Sequence, residues 1–141
     1  MFWFRKKTKH SRLSVELAVV TGEISRSKRY GYQFGILSVE VPHSVPRGLS
    51  KLLPGKTISF HVMEKHIRQY DTIIRSILRR YFIVLPQADK KGVKVVIDRI
   101  KNLADEYGWG SIVISSAVYP DDGDSASVLL EKAVSGTDSE G

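Results

Sequence analysis

The sequence predicts an α+β fold in which a β-α-β-β-α-β core lies between an N-terminal and a C-terminal helix. In four segments, apolar residues recur at three- and four-residue spacing, which indicates amphipathic helices. Four shorter segments are rich in β-branched and aromatic residues, and three of them are bounded by glycine or proline, which indicates strands. The order of the segments matches the ferredoxin-like plan, which has one mainly antiparallel sheet with helices packed on one face.

The first half of the chain supplies a helix, a strand and a second helix. Leu13 to about Tyr30 carries an apolar stripe, and Gly31 is placed to end that helix. Phe34 to Val41 is predicted to be a strand, because it is rich in residues that favour strands and a proline follows it. Residues 44–55 are rich in glycine and proline and are predicted to form a loop. Lys56 to about Gln69 then has the pattern of a helix.

The second half supplies a hairpin, a helix, a strand and a last helix. Thr72–Ile77 and Tyr81–Leu85 are two short apolar runs joined by a tight basic turn. Asp89 is placed to cap a helix that reaches about Tyr107. Ser111–Tyr119 is predicted to be a strand, and a helix capped by Asp124 or Ser125 follows it to about Val134.

The length of 141 residues suits one domain with one core. We divide the chain into a flexible basic tip over residues 1–12, one domain over residues 13–134 and a flexible tail over residues 135–141. The net charge of +7 agrees with an anionic partner such as a nucleotide, nucleic acid or phospholipid, but ordinary solubility charge explains it equally well. Any contact with a membrane is expected to be through the basic tip alone.

Most enzyme and metal patterns are absent from the sequence. There is no cysteine, which excludes disulfides and thiolate metal sites and agrees with a cytoplasmic location. Neither a Walker loop nor a Gly-x-Ser-x-Gly elbow is present. His61 and His66 are five residues apart, a spacing that does not place both on one helix face, so no metal site is expected. No cofactor is expected either.

Three segments carry a resemblance to a known family. Tyr81–Pro86 reads YFIVLP, Ile112–Asp124 reads IVISSAVYPDDGD, and Ser125–Val134 follows as a helix. In order and spacing, these segments resemble the later strands, turn and last helix of GGDEF (diguanylate cyclase) domains. The helix end Glu23–Tyr32 and the strand Phe34–Val41 resemble the family's lead-in and first strand, so the resemblance covers nearly the whole chain. It implies the variant of the ferredoxin-like core that GGDEF and nucleotidyl cyclase domains share.

The same resemblance implies that the catalytic site is lost. The family's Gly-Gly-(Asp/Glu)-Glu-Phe signature falls on Ile77, Leu78, Arg79, Arg80 and Tyr81. The first strand keeps one acid, Glu40, of the family's Asp-x-Asp metal pair, and the loop after it keeps only Gly55 of the guanine-binding segment. Two cations in place of two carboxylates repel Mg²⁺, and phosphoryl transfer needs positioned carboxylates. The protein is therefore expected not to be an enzyme.

A second site of the family has matching residues in this chain. The inhibitory Arg-x-x-Asp pair that binds cyclic di-GMP corresponds to Arg68 and Asp71, five residues before the signature. A further arginine of that site corresponds to Arg99, eighteen residues after Tyr81. An arginine fork can bind guanine O6 and N7 or a phosphate, and a carboxylate can accept from guanine N1–H and N2–H.

These observations support two main hypotheses. The first is an inactive GGDEF-like domain that binds cyclic di-GMP at Arg68, Asp71 and Arg99 and signals through a protein partner. The second is a protein-interaction module without a ligand, with the opening helix as a possible homodimer seam; Arg68 and Asp71 would then form an ordinary surface ion pair. A nucleic-acid partner is disfavoured because the strands lack the interleaved aromatic residues of a stacking platform.

Overall fold

A computed structural model describes residues 2–41, 58–76 and 80–136 of the chain. Helices and strands in these ranges follow the predicted order. They are α1 (Phe2–Tyr30), β1 (Phe34–Glu40), α2 (Ile58–His66), β2 (Thr72–Arg75), β3 (Arg80–Pro86), α3 (Lys90–Tyr107), β4 (Val113–Tyr119) and α4 (Ala126–Ser135). The predicted loop over residues 44–55 and the turn residues Ile77, Leu78 and Arg79 lie outside the described residues, as do residues 137–141 of the predicted tail.

The described strands form one antiparallel sheet in the order β2-β3-β1-β4. Glu40 at the end of β1 is in register with Arg80 at the start of β3, and Leu37 is in register with Ile83. The adjacent strands β2 and β3 form the predicted hairpin, in which Arg75 is in register with Tyr81. The α+β fold with a β-α-β-β-α-β core is thus confirmed.

The two helices of the core pack on one face of the sheet, as the ferredoxin-like plan predicts, and the two flanking helices cover the other face. One face packs against α2 and α3, and its core includes Leu37, Val39, Ile83, Leu85, Val96, Ile97 and Ile100. The other face packs against α1 and α4, and its core includes Val20, Phe34, Ile36, Phe82, Val84 and Leu129. The two flanking helices have apolar faces of their own to bury, so successive residues of β1 enter two different cores.

The sequence predicted several helix ends correctly and one helix start incorrectly. Asp89 and Ser125 cap α3 and α4 as predicted, each accepting from a backbone N–H three residues later. Gly31 follows α1 in the left-handed conformation, with φ of 72°. The apolar pattern predicted the start of α1 at Leu13, but the helix begins at Phe2, because no glycine or proline interrupts the residues before Gly22.

α2 is shorter than the sequence pattern predicts. It ends at His66 rather than near Gln69, because Arg68 and Asp71 form a turn of their own. Among the described helices, none is both long enough and apolar enough to cross a bilayer.

Candidate functional site

The turn between α2 and β2 contains the predicted Arg68 and Asp71. The Asp71 N–H donates to the Arg68 carbonyl at 3.0 Å, which closes the turn. In return, Asp71 Oδ2 accepts from the Arg68 backbone N–H at 2.9 Å. These reciprocal bonds fix the two residues before the chain enters β2 at Thr72.

The Arg68 guanidinium lies against the Asp71 carboxylate. Arg68 Nε is 3.2 Å from both carboxylate oxygens, and Nη2 is 2.9 Å from Oδ1. The Asp71 side chain is only 1% exposed, whereas that of Arg68 is 35% exposed. The carboxylate of this pair is therefore buried under the guanidinium, and removal of the guanidinium would leave it with a backbone N–H as its remaining described partner.

Further contacts hold Arg68 over Asp71. Nη1 donates to the Tyr70 hydroxyl at 2.9 Å, and the guanidinium carbon lies 4.5 Å from the centroid of the Tyr70 ring. Nη2 also donates to the Pro86 carbonyl at the end of β3, at 3.1 Å. Partial burial acts to lower the pKa of Arg68, but the hydrogen bonds and charge of Asp71 outweigh burial and raise that pKa above its ordinary value.

Arg99 reaches the same surface from α3. Its Nη1 donates at 3.2 Å to the carbonyl of His66, the last residue of α2 and two residues before Arg68. A cation is favourable there because the last carbonyls of a helix lack intrahelical partners. Arg99 thus contacts the residue two before Arg68, and of the two guanidinium groups it is Arg68 that lies on the Asp71 carboxylate.

Two partners of this cluster were missed by the sequence reasoning. The motif assigns no role to Tyr70, although an aromatic residue between Arg68 and Asp71 was visible in the sequence. The carbonyl of Pro86 gave no sequence signal, because its proximity depends on the pairing of β3 with β2.

The part of the signature turn that the structure describes is Arg80 and Tyr81. Arg80 Nη2 is 3.1 Å from Glu40 Oε2 across the β1–β3 pair, and both side chains are partly exposed. Tyr81 is 1% exposed, and its hydroxyl is 3.1 Å from Ser59 Oγ of α2. Arg80 therefore neutralises the acid that the resemblance assigns to metal binding, and Tyr81 is a core residue.

The residues at this position do not fit the Mg²⁺ of cyclases. Mg²⁺ prefers several oxygen ligands, and the Glu40 carboxylate is already paired with a guanidinium. Across the ranges 2–41, 58–76 and 80–136, no group of three or more histidine, aspartate or glutamate side chains is arranged to hold a metal ion.

No protein-family model matches the chain, and no curated protein matches it. Solved structures do match. The GGDEF domain of Pseudomonas aeruginosa TpbB (YfiN) is similar with a TM-score of 0.67 and 17% identity, over 86% of this chain and 78% of that chain. A sensory box/GGDEF family protein from Caulobacter crescentus has a TM-score of 0.66 and 12% identity, over 86% of both chains.

A third similar structure records the interaction of a microbial GGDEF domain with cyclic di-GMP. It has a TM-score of 0.63 and 15% identity, over 87% of this chain and 81% of that chain. At such low identity, a structural likeness reports on the fold. The described part of the chain therefore has the fold of a GGDEF domain.

Proposed function

We propose that this chain is a catalytically inactive GGDEF-like domain of the cytoplasm that binds cyclic di-GMP through Arg68, Asp71 and Arg99 and signals through a protein partner. The observation that carries the proposal is the contact of Arg99 with the His66 carbonyl, at 3.2 Å. This contact supports the proposal because it holds a second guanidinium, from a distant part of the sequence, at the residue two before Arg68. A GGDEF domain of similar fold has a recorded interaction with cyclic di-GMP, which also supports the proposal.

The chemistry of the cluster suits a guanine dinucleotide. Each guanidinium offers paired N–H donors that match guanine O6 and N7 or two phosphate oxygens. The Asp71 carboxylate is the acceptor that guanine N1–H and N2–H require. Two cations and one anion also leave a net positive charge for the phosphates.

Binding at Asp71 requires Arg68 to move. Asp71 is 1% exposed under the guanidinium, so a guanine can reach the carboxylate only after Arg68 exchanges its bonds to Tyr70 and Pro86 for bonds to the ligand. The proposed ligand-bound state therefore differs from the described one in the Arg68 side chain.

Isothermal titration with cyclic di-GMP, with GTP as the competing nucleotide, tests the proposal. We expect micromolar or tighter binding of cyclic di-GMP and at least about tenfold weaker binding by Arg99→Ala, because one charge-assisted fork is lost. Arg29→Ala is the matched control, since Arg29 is an exposed arginine of α1, which packs on the opposite face of the sheet. Arg68→Lys removes the paired N–H donors of the other guanidinium but keeps a cation beside Asp71.

Two outcomes contradict the proposal. If the folded wild-type domain does not bind cyclic di-GMP, the receptor function is wrong. If Arg29→Ala weakens binding as much as Arg99→Ala does, the effect is one of net charge, and the proposed site is wrong. A thermal melt of each variant separates loss of binding from loss of folding.

A protein-interaction or dimerisation module is the second candidate, and the length of α1 favours it. With 29 residues, this helix extends about 44 Å at 1.5 Å per residue. Among the α1 side chains that the structure describes, from Val15 onward, those in the apolar core lie between Leu17 and Ile24. Sedimentation velocity at several concentrations, with and without cyclic di-GMP, distinguishes a ligand-independent dimer from a receptor.

A further inference from the structure

A cavity of about 350 Å³ lies between the first half of α3 and the edge strand β4. Its apolar lining includes Val93, Ile97 and Val118, each of which is buried. Lys90, Lys94 and Asp122 contribute its charged lining. This volume is at the low end of the roughly 300–1,000 Å³ that is usual for small-molecule sites.

Neither of the two lysines is directly paired with a carboxylate of the described residues. Lys90 and Lys94 are exposed and one helical turn apart, and neither forms an ion pair within the described ranges. Two nearby carboxylates are engaged elsewhere: Asp89 Oδ1 accepts from Gly92 N at 2.9 Å, and Asp122 Oδ2 accepts from Val118 N at 2.8 Å. Like charges one turn apart repel each other, so an anion between the lysines would be stabilised.

We propose that this cavity binds a small organic anion with an apolar body. The body would lie on Val93 and Ile97, and a carboxylate or phosphate group would lie between Lys90 and Lys94. The N-terminal end of α3 adds partial positive charge at the same place. Asp122 repels a second anionic group, so the geometry favours a ligand with one such group.

This site is distinct from the proposed dinucleotide site. Lys94 and Arg99 are on the same helix, but five residues correspond to a rotation of about 140° around its axis. Arg99 contacts the end of α2, whereas Lys94 lines a cavity beside β4. Loss of one site should therefore leave the other intact.

Fluorescence titration with 8-anilinonaphthalene-1-sulfonate, an aromatic anion, tests the proposal. We expect saturable binding by the wild-type domain and an increase of about tenfold or more in the dissociation constant of Lys90→Gln/Lys94→Gln. Lys91→Gln is the matched control, because Lys91 is an exposed lysine of the same helix turn that does not line the cavity. Both sets of substitutions change exposed residues, so the fold is expected to persist.

The outcomes decide between a site and a general charge effect. Unchanged binding by Lys91→Gln supports the proposal. Equal weakening by Lys91→Gln and Lys90→Gln/Lys94→Gln overturns it, as does the absence of saturable binding. Displacement of the probe by benzoate identifies a carboxylate ligand and displacement by phenyl phosphate a phosphate ester, while displacement by neither overturns the proposal.

Discussion

At the scale of single residues, Tyr70 restrains the guanidinium that covers Asp71. Its hydroxyl accepts from Arg68 Nη1 at 2.9 Å. We expect Tyr70→Phe to bind cyclic di-GMP about three- to fivefold more tightly, because a hydrogen bond that Arg68 has to give up is worth ~1 kcal/mol. Isothermal titration measures the change. Tyr107→Phe is the control, since Tyr107 is an exposed tyrosine at the end of α3; weaker binding by Tyr70→Phe would contradict this role.

Residue spacing predicted the types of side chain in the candidate site but not their contacts. Arg68, Asp71 and Arg99 were found from the motif and its distance to Tyr81. Whether Arg99 reaches the turn depends on the rotation of α3 about its axis, which a one-dimensional spacing does not fix. The burial of Asp71 was missed for a similar reason, because it results from the position of Arg68 between the turn and Pro86.

At the scale of elements, Gly35 allows α3 to pack closely on β1. A Cβ atom at this position would lie 2.3 Å from Val93 Cγ2. We expect Gly35→Ala to lower the free energy of unfolding by about 1–3 kcal/mol, because a packed core accommodates extra volume poorly. Urea unfolding measures the change, and Gly22→Ala is the control. Near Gly22, the nearest atoms to an added Cβ belong to Arg26 at 3.9 Å.

The control substitution Gly22→Ala also has an expected effect on stability. Gly22 lies inside α1, where alanine is favoured over glycine by about 0.5–1 kcal/mol, so Gly22→Ala should be at least as stable as the wild type. Equal stability of Gly35→Ala and the wild type would show that α3 can shift away from β1 without loss.

The end of α1 is anchored to the segment before β1 by a buried carboxylate. Glu23 is 2% exposed and accepts from the Tyr32 hydroxyl at 2.8 Å and from Arg26 Nη2 at 2.8 Å. Burial and the hydrogen bond to Glu23 both raise the pKa of Tyr32 above its ordinary 10.0. The unfolded chain therefore loses this proton at a lower pH than the folded domain does.

The sign of the pH dependence follows from linkage. The contribution of Tyr32 to stability is present in full below pH 10.0 and is lost as the pH rises through the folded-state pKa. We expect the free energy of unfolding of Tyr32→Phe to fall less steeply than that of the wild type as the pH rises above 10.0. Urea unfolding at several pH values measures both slopes. Tyr30→Phe is the control, because Tyr30 is 68% exposed. Parallel slopes for the wild type and Tyr32→Phe would contradict the proposed anchor.

At the scale of the whole molecule, local patterns predicted the order and type of the elements. Periodicity, the two helix caps and the hairpin carried that prediction, because each depends on residues close in sequence. The burial of both sheet faces was not predicted. It depends on where α1 and α4 pack, and their apolar stripes indicate that a face is buried without indicating which surface covers it.

The whole fold also sets an expectation for catalysis. The described part of the chain has the fold of a GGDEF domain, while Arg80 pairs with Glu40, the acid that the resemblance assigns to metal binding. We expect no formation of cyclic di-GMP from GTP and Mg²⁺, as measured by ion-exchange chromatography with an active cyclase as positive control. A Mg²⁺ ion would have to displace the Arg80 guanidinium from Glu40, and the described residues contain no group of three or more potential metal ligands.

The variant Arg80→Glu tests the expected loss of catalysis more strictly. It restores an acid beside Glu40 and removes the competing cation, but Ile77 and Leu78 still stand where cyclases have two glycines. Because the resemblance implies that these glycines let the backbone approach the nucleotide, we expect Arg80→Glu to be as inactive as the wild type. Product above the protein-free blank from the wild type would contradict the loss of catalysis. Product from Arg80→Glu alone would show that the ion pair, and not the missing glycines, is what prevents it.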